Sequence, residues 1–96
     1  MTDTAKLTIF EFQKHISARY EKADRERGTP GTFLWFMEEV GELASALNGR
    51  TDRGNIEEEF ADVFAWLCTL ANINDVNLAE VISRKYLSEK PPVGHK

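Results

Sequence analysis

Helix-capping signals constrain the fold of this chain more than any other feature. Three times, a residue that can cap a helix stands three positions before a glutamate: Thr8 with Glu11, Asn55 with Glu58, and Asn77 with Glu80. In such a pair the side chain of the capping residue accepts a hydrogen bond from a backbone amide in the first turn. The glutamate side chain in turn accepts one from the backbone amide of the capping residue. Each pair therefore predicts the start of a helix. No segment shows the apolar–polar alternation of a half-buried strand, so the chain is predicted to be all-α.

Glycine and proline residues predict where these helices end. The stretch 28–31, GTPG, should break the first helix, and Pro30 suits the first turn of the second. Asn48–Gly49 is a helix stop, and Pro91 forbids continuation of the last helix. The predicted helices of an antiparallel four-helix bundle span residues 8–27, 30–47, 55–72 and 77–89 of a single domain covering 1–96, with a flexible tail at 90–96.

Composition excludes several classes of partner. The net charge of −4 offers no electrostatic footprint for a nucleic-acid polymer or an anionic membrane surface. No apolar run approaches the roughly 18 residues that span a bilayer, and the N-terminus lacks the apolar stretch of a signal peptide. A single cysteine, Cys68, cannot form an intrachain disulfide and is predicted to be a small core residue. A cytoplasmic location is therefore predicted.

Apolar residues at helical spacing predict the buried face of each helix. The predicted core positions are Phe12, Ile16, Tyr20 and Ala23 in the first helix, Phe36, Val40, Leu43 and Leu47 in the second, and Phe60, Val63, Phe64, Leu67 and Ala71 in the third. The six phenylalanines are spread too widely around their helices for one small core to cover them all. This excess of apolar surface predicts a homo-oligomer.

Two acidic clusters interrupt these core-facing helices. Glu39 and Glu42 in EEVGE, like Glu59 and Asp62 in EFAD, are three residues apart and share a helix face. In an antiparallel pair, aligning Glu42 with Glu59 also sets Glu39 opposite Asp62. Facing carboxylates repel one another, which destabilises the fold. A bound divalent cation turns this unfavourable electrostatic energy into a favourable one. Oxygen ligands favour Mg²⁺, Mn²⁺ or Ca²⁺ over zinc, so the two pairs predict a site for a hard cation.

The same register brings two large aromatic residues together. Trp35 lies opposite Trp66, and each stands four residues from a carboxylate, one helical turn from the predicted cation site. One reading is that a nucleotide base stacks here beside its phosphates. The other is that the two indoles close the lower end of the core. Glu57 and Glu58 are read as part of a solvated helix face.

The two acidic motifs also carry a family resemblance. The pattern EExxE from Glu38, followed after sixteen residues by ExxD, in the context EEVGEL and EFADVFAWL, resembles the MazG-like nucleoside triphosphate pyrophosphohydrolases of the all-α NTP pyrophosphatase superfamily. The resemblance spans roughly residues 29–90. It implies hydrolysis of a nucleoside triphosphate, expected to be a deoxynucleoside triphosphate, to the monophosphate and pyrophosphate in nucleotide-pool house-cleaning. It further implies Mg²⁺, with Mn²⁺ as a substitute, held by the catalytic residues Glu39, Glu42, Glu59 and Asp62, whereas relatives vary at Glu38.

Phosphate-binding cations and assembly follow from the same resemblance. Lys85 stands where relatives carry a fourth-helix lysine that faces the triphosphate. Arg84 and Lys90 are neighbouring candidates for the same role. Similar domains form dimers or dimers of dimers, so a homodimer or homotetramer is expected.

Two alternatives remain open. One is phosphoribosyl-ATP pyrophosphohydrolase, although it typically has a lysine ahead of the paired glutamates, where this chain has Phe36 and Met37. The other is a non-catalytic module that binds Mg²⁺ or nucleotide in a regulatory role. A ferritin-like di-iron protein is disfavoured, because neither His15 nor His95 follows a glutamate by three positions.

Overall fold

The computed structural model describes residues 3–49 and 52–89. A short 3-10 helix at Thr4–Lys6 is followed by three α-helices: α1 at Ile9–Asn48, α2 at Arg53–Ile73 and α3 at Leu78–Tyr86. These described residues contain no strand, so the prediction of an all-α fold is confirmed. None of their helices combines the length and the apolarity needed to cross a membrane. The predicted tail at 90–96 lies outside the described residues.

A single glycine divides α1 into two arms. Gly28 has φ 81° and ψ 170°, a backbone conformation that glycine adopts without a Cβ clash. It separates an N-terminal arm (9–27) from a C-terminal arm (29–48), and Pro30 lies in the first turn of the second arm, where its missing N–H is not needed. The predicted break is present but only one residue long. The predicted first and second helices are therefore the two arms of α1, and residues 3–49 and 52–89 form three α-helices, not the four predicted.

Hydrogen bonds at the helix starts confirm two of the three predicted caps. Thr8 Oγ1 accepts from the Glu11 amide at 3.0 Å, and Asn77 Oδ1 accepts from the Glu80 amide at 3.2 Å. The predicted start at Asn55 is wrong, because Asp52 caps α2 by accepting from the Asn55 amide at 2.8 Å. That carboxylate stands three residues earlier and starts the helix at Arg53. The last helix ends at Tyr86, three residues before its predicted end.

The C-terminal arm of α1 packs antiparallel to α2. Asn74 Nδ2 donates to Thr29 Oγ1 at 3.2 Å at one end of this pair, and the Trp35 and Trp66 rings meet further along it. The N-terminal arm also contacts α2, where the Phe12 and Phe64 rings stack with centroids 5.8 Å apart. The predicted antiparallel register of the two acid-bearing segments is the one observed.

Gln13 joins all three helices. Its Nε2 donates to Asn72 Oδ1 at 3.0 Å and to the Val76 carbonyl at 2.7 Å, while its Oε1 accepts from the Leu78 amide at 2.9 Å. The side chain is buried with each polar atom partnered, as a buried amide requires. This network fixes the start of α3 against α1 and the end of α2.

Few apolar side chains are fully buried. Among the described residues the buried apolar positions are Ile16, Ala46, Cys68 and Ala71. Cys68 is thus a core residue as predicted, and burial raises the pKa of its thiol to about 11, which keeps it unreactive. The predicted burial is wrong for five residues, which are exposed: Tyr20, Ala23, Leu47, Phe60 and Leu67. They lie at the margins of their apolar stripes, which three helices do not cover.

Candidate functional site

Three glutamates meet where the C-terminal arm of α1 faces α2. Glu39 and Glu42 come from the arm and Glu59 comes from α2, and one carboxylate oxygen of each lies within 4.8 Å of the other two. The spacing of three residues directs Glu39 and Glu42 to the same side of their helix. We call these three residues the acidic cluster. The structure therefore brings together three of the four residues predicted to hold a cation.

The acidic cluster concentrates negative charge that no cation in the described part of the chain is seen to pair with. Burial of its carboxyl group, together with repulsion from Glu42 and Asp62, raises the pKa of Glu39. Burial and the same two neighbours also raise the pKa of Glu59. The Oε2 atoms of Glu39 and Glu59 are buried and accept no hydrogen bond from any described residue. A cation coordinated by oxygen ligands fits this donor set.

The remaining predicted acidic residues lie at the edge of the cluster. Asp62 is exposed and lies outside the three-oxygen group, but its charge acts on both Glu39 and Glu59. Glu38 is exposed and lines a groove of about 580 Å³ together with Glu42 and Glu59. The groove gives solvent-side access to the cluster.

The two tryptophans lie together one helical turn from the acidic cluster. The Trp35 and Trp66 ring centroids are 5.4 Å apart and their planes meet at 85°, so the indoles form a corner and not a flat wall. Trp35 remains 47% exposed, which argues against the reading that it only closes the core. The guanidinium of Arg27 lies over both rings, 4.6 Å from the Trp35 centroid and 5.2 Å from that of Trp66.

Polar side chains hold Arg27 in this position. Its Nε donates to Thr32 Oγ1 at 2.9 Å, and its Nη2 donates to Asp24 Oδ1 at 2.6 Å. Both partners are buried, and the second oxygen of Asp24, Oδ2, is buried without a partner in the described part of the chain. A cavity of about 400 Å³, which we call the indole pocket, is lined by Tyr20, Asp24, Arg27, Trp35, Trp66 and Thr69, among others.

Sequence reasoning did not identify Asp24 or Arg27. A signal for them exists, because they continue the helical spacing of the apolar stripe from Ile16 through Tyr20. A charged pair three residues apart on a core-facing stripe is a candidate for a buried ion pair, whereas the same pair on a polar face is not.

Of the predicted phosphate-binding cations, the two that the structure describes, Arg84 and Lys85, contact groups other than the acidic cluster. Arg84 Nη1 pairs with Glu80 Oε1 at 3.5 Å, and Lys85 Nζ lies 5.5 Å from the Tyr86 ring centroid, so both cations make their contacts within α3. Lys90 lies outside the described residues.

Comparison with protein families gives one match. The family model described as the MazG nucleotide pyrophosphohydrolase domain matches residues 29–93, more than half of the chain. The match contains both acidic motifs and both tryptophans, and it begins after Asp24 and Arg27. No curated protein matches the chain.

Proposed function

The chain belongs to the MazG nucleotide pyrophosphohydrolase domain family, and we propose that it hydrolyses a nucleoside triphosphate to the monophosphate and pyrophosphate with Mg²⁺. Members of this family are nucleotide pyrophosphohydrolases that act on nucleoside triphosphates and generally use a divalent metal. The observation that supports the proposal for this chain is the acidic cluster, with its oxygens within 4.8 Å of one another. We further propose a deoxynucleoside triphosphate as substrate and a role in nucleotide-pool house-cleaning.

The donor set suits Mg²⁺ because it consists of carboxylate oxygens alone. In the proposal Glu39, Glu42 and Glu59 are the ligands, and Glu38 lines the groove through which the phosphates approach. When bound, Mg²⁺ neutralises charge on the phosphate oxygens and lowers the pKa of a coordinated water. Asp62 lies outside the three-oxygen group and is exposed, so it is the carboxylate best placed to complete the ligand set or to orient the attacking water.

The indole pocket supplies the second half of a nucleotide site. Trp35 precedes Glu39 by one helical turn, about 6 Å along the helix axis. Phosphates at the acidic cluster and a base at Trp35 and Trp66 would therefore be neighbours on one face of the helix pair. Arg84, Lys85 and Lys90 are the proposed phosphate-binding cations, and Arg84 and Lys85 would exchange their contacts with Glu80 and Tyr86 for the phosphates.

Exposed apolar residues support a homo-oligomer as the working form. Phe33, Leu34 and Met37 lie on one side of the C-terminal arm and are exposed, as are Phe10 and Phe60 elsewhere. A second copy that covers these residues would remove them from water. Light scattering at micromolar concentration should give a homodimer or homotetramer, and a stable monomer would contradict the proposal.

Product analysis tests the reaction. The purified chain is incubated with canonical and modified deoxynucleoside and ribonucleoside triphosphates, and with phosphoribosyl-ATP, in Mg²⁺, in Mn²⁺ or in EDTA. We expect pyrophosphate release from the triphosphates in Mg²⁺, with activity also in Mn²⁺ and none in EDTA. Orthophosphate as the product would refute the reaction type. Preference for phosphoribosyl-ATP, or nucleotide binding without turnover, would instead support one of the two alternatives.

A further inference from the structure

The indole pocket contains a charged pair, a buried aspartate with a half-buried arginine, that the proposed hydrolysis does not use. The Asp24 side chain is only 7% exposed, and its Oδ1 accepts from Arg27 at 2.6 Å. Its Oδ2 is buried without a hydrogen-bond partner, although Asp24 lines the cavity. Both residues precede residue 29, where the family match begins. The pair is therefore a feature of this chain outside the matched domain.

The chemistry of Asp24 defines the group it would bind. An ionised carboxylate is an acceptor only, so Oδ2 needs an N–H or O–H donor. The terminal torsion of aspartate has a broad energy profile. A small rotation about this torsion would turn Oδ2 toward the cavity that Asp24 lines, where an N–H donor of a ligand would satisfy it.

The rest of the pocket selects a planar ring. Two indoles whose planes meet at 85° form an apolar corner, and the Arg27 guanidinium lies 4.6 Å and 5.2 Å from their ring centroids. The volume of about 400 Å³ falls in the range of small-molecule pockets. An aromatic corner beside one buried acceptor matches a nucleobase, which has a flat face and an N–H donor at its edge.

We propose that the indole pocket binds the base of the nucleotide and that Asp24 is the residue that reads an N–H donor on the base edge. The identity of the ligand as a nucleotide rests on the proposed function. The pocket should accept bases that carry a ring N–H or an exocyclic amino group at that edge. It should reject analogues in which alkylation has replaced this donor, because they leave Oδ2 unpaired.

Tryptophan fluorescence tests the wild-type chain directly. Both tryptophans of the chain line the pocket, so emission excited at 295 nm reports on it alone. The protein is titrated, without metal, with uridine, with 3-methyluridine, which lacks the N3–H donor, and with 5-methyluridine, which keeps it. We expect similar affinity for uridine and 5-methyluridine, and affinity at least about tenfold lower for 3-methyluridine. Equal binding of all three, or no binding of any, would overturn the proposal.

The variant Asp24→Asn tests the assigned atom. The amide oxygen can keep the bond from Arg27, and the amide nitrogen then replaces the Oδ2 acceptor with a donor. The preference for uridine over 3-methyluridine should fall to less than about twofold in this variant. The control Glu26→Gln makes the same change of charge at an exposed position of the same arm and should keep the wild-type preference. An unchanged preference in Asp24→Asn would overturn the assignment.

Two features of the design separate this inference from the proposed reaction. Nucleosides carry no phosphate and the titrations contain no metal. Binding of nucleosides to the indole pocket can therefore be detected even if the chain never releases pyrophosphate. Conversely, pyrophosphate release with no discrimination against 3-methyluridine would refute the role of Asp24 and leave the reaction intact. If Asp24→Asn does not fold, the comparison of the three nucleosides on the wild-type chain still tests whether the pocket requires an N–H donor on the base.

Discussion

The acidic cluster and the indole pocket lie one helical turn apart on the same helix pair, yet their carboxylates differ in whether a cation of the chain is paired with them. In the acidic cluster Glu39, Glu42 and Glu59 face one another, and the pKa values of Glu39 and Glu59 are raised. In the indole pocket the buried Asp24 is paired with Arg27. Among the described residues, the acidic cluster has no cation within its three-oxygen group, whereas the carboxylate of the indole pocket has a guanidinium partner. The proposed cation would supply the charge that the acidic cluster lacks.

Removing one carboxylate from the acidic cluster should have the largest effect. Replacing Glu39 with alanine removes a proposed cation ligand and should cost about 3 kcal/mol or more in the activation free energy, at least about 100-fold in kcat. Asp62→Ala should act in the same direction. The measurement is pyrophosphate release at saturating Mg²⁺.

Glu57→Ala is the matched control, because Glu57 pairs with Arg53 at 3.8 Å on an exposed face of α2. It should retain near-wild-type turnover. Near-wild-type turnover of Glu39→Ala itself would show that the acidic cluster does not hold the catalytic ion.

Removing the cation of the indole pocket should act on stability. Arg27→Met keeps the length of the side chain but leaves Asp24 buried without its partner, which should lower the free energy of unfolding by about 2 kcal/mol. Arg53→Met breaks an ion pair whose side chains are 84% and 61% exposed, and should cost about 0.5 kcal/mol or less. Urea unfolding measures both variants. Equal losses in the free energy of unfolding would mean that the ion pair of the indole pocket contributes no more to stability than an exposed pair.

Replacing an indole should weaken substrate binding more than folding. Trp35→Leu and Trp66→Leu keep apolar bulk but remove the stacking surface, which contributes about 1–3 kcal/mol per base, so KM should rise about tenfold across several nucleotides. Phe33→Leu alters an exposed aromatic residue of the same arm outside the pocket and serves as the control. Unchanged KM in both tryptophan variants, or outright unfolding, would assign the indoles to the core.

The pH dependence of stability should show the smallest effect. The folded chain binds more protons than the unfolded chain between the ordinary carboxyl pKa, about 4.3, and the raised pKa values of Glu39 and Glu59. Their contribution to stability therefore falls as the pH rises through that window and stays lower above it. In EDTA, the excess Tm of Glu39→Gln over wild type should grow from pH 4 to pH 8. Parallel Tm profiles for the two proteins would contradict this.

Local signals in the sequence predicted much of what positions the site. The caps at Thr8 and Asn77 depend only on residues within one helical turn, and both are present. The antiparallel register follows from the positions of the acidic residues along the two segments. It correctly placed Trp35 beside Trp66. The start of α2 was predicted two residues late, because Asp52 competes with Asn55 as the cap and its carboxylate is the acceptor used.

What the sequence did not reveal depends on packing between distant segments. Asp24 and Arg27 continue the apolar stripe of the N-terminal arm, but Asp24 becomes buried only where that arm packs against α2. Leu47 and Phe60 fit their apolar stripes, but no neighbouring helix covers those margins among the described residues, so both remain exposed.

The hydrogen bonds of Gln13 have a consequence for motion. None of the nine residues of α3, all within the described chain, is buried, and the Gln13 side chain ties the start of the helix to α1 and α2. A segment held in this way opens at a lower free energy than the global unfolding of the chain, so its amide hydrogens should exchange with solvent before those of α2. Arg84 and Lys85 travel with it. The carboxylates of the acidic cluster therefore lie on long, packed helices, whereas Arg84 and Lys85 lie on the short helix that is expected to open first.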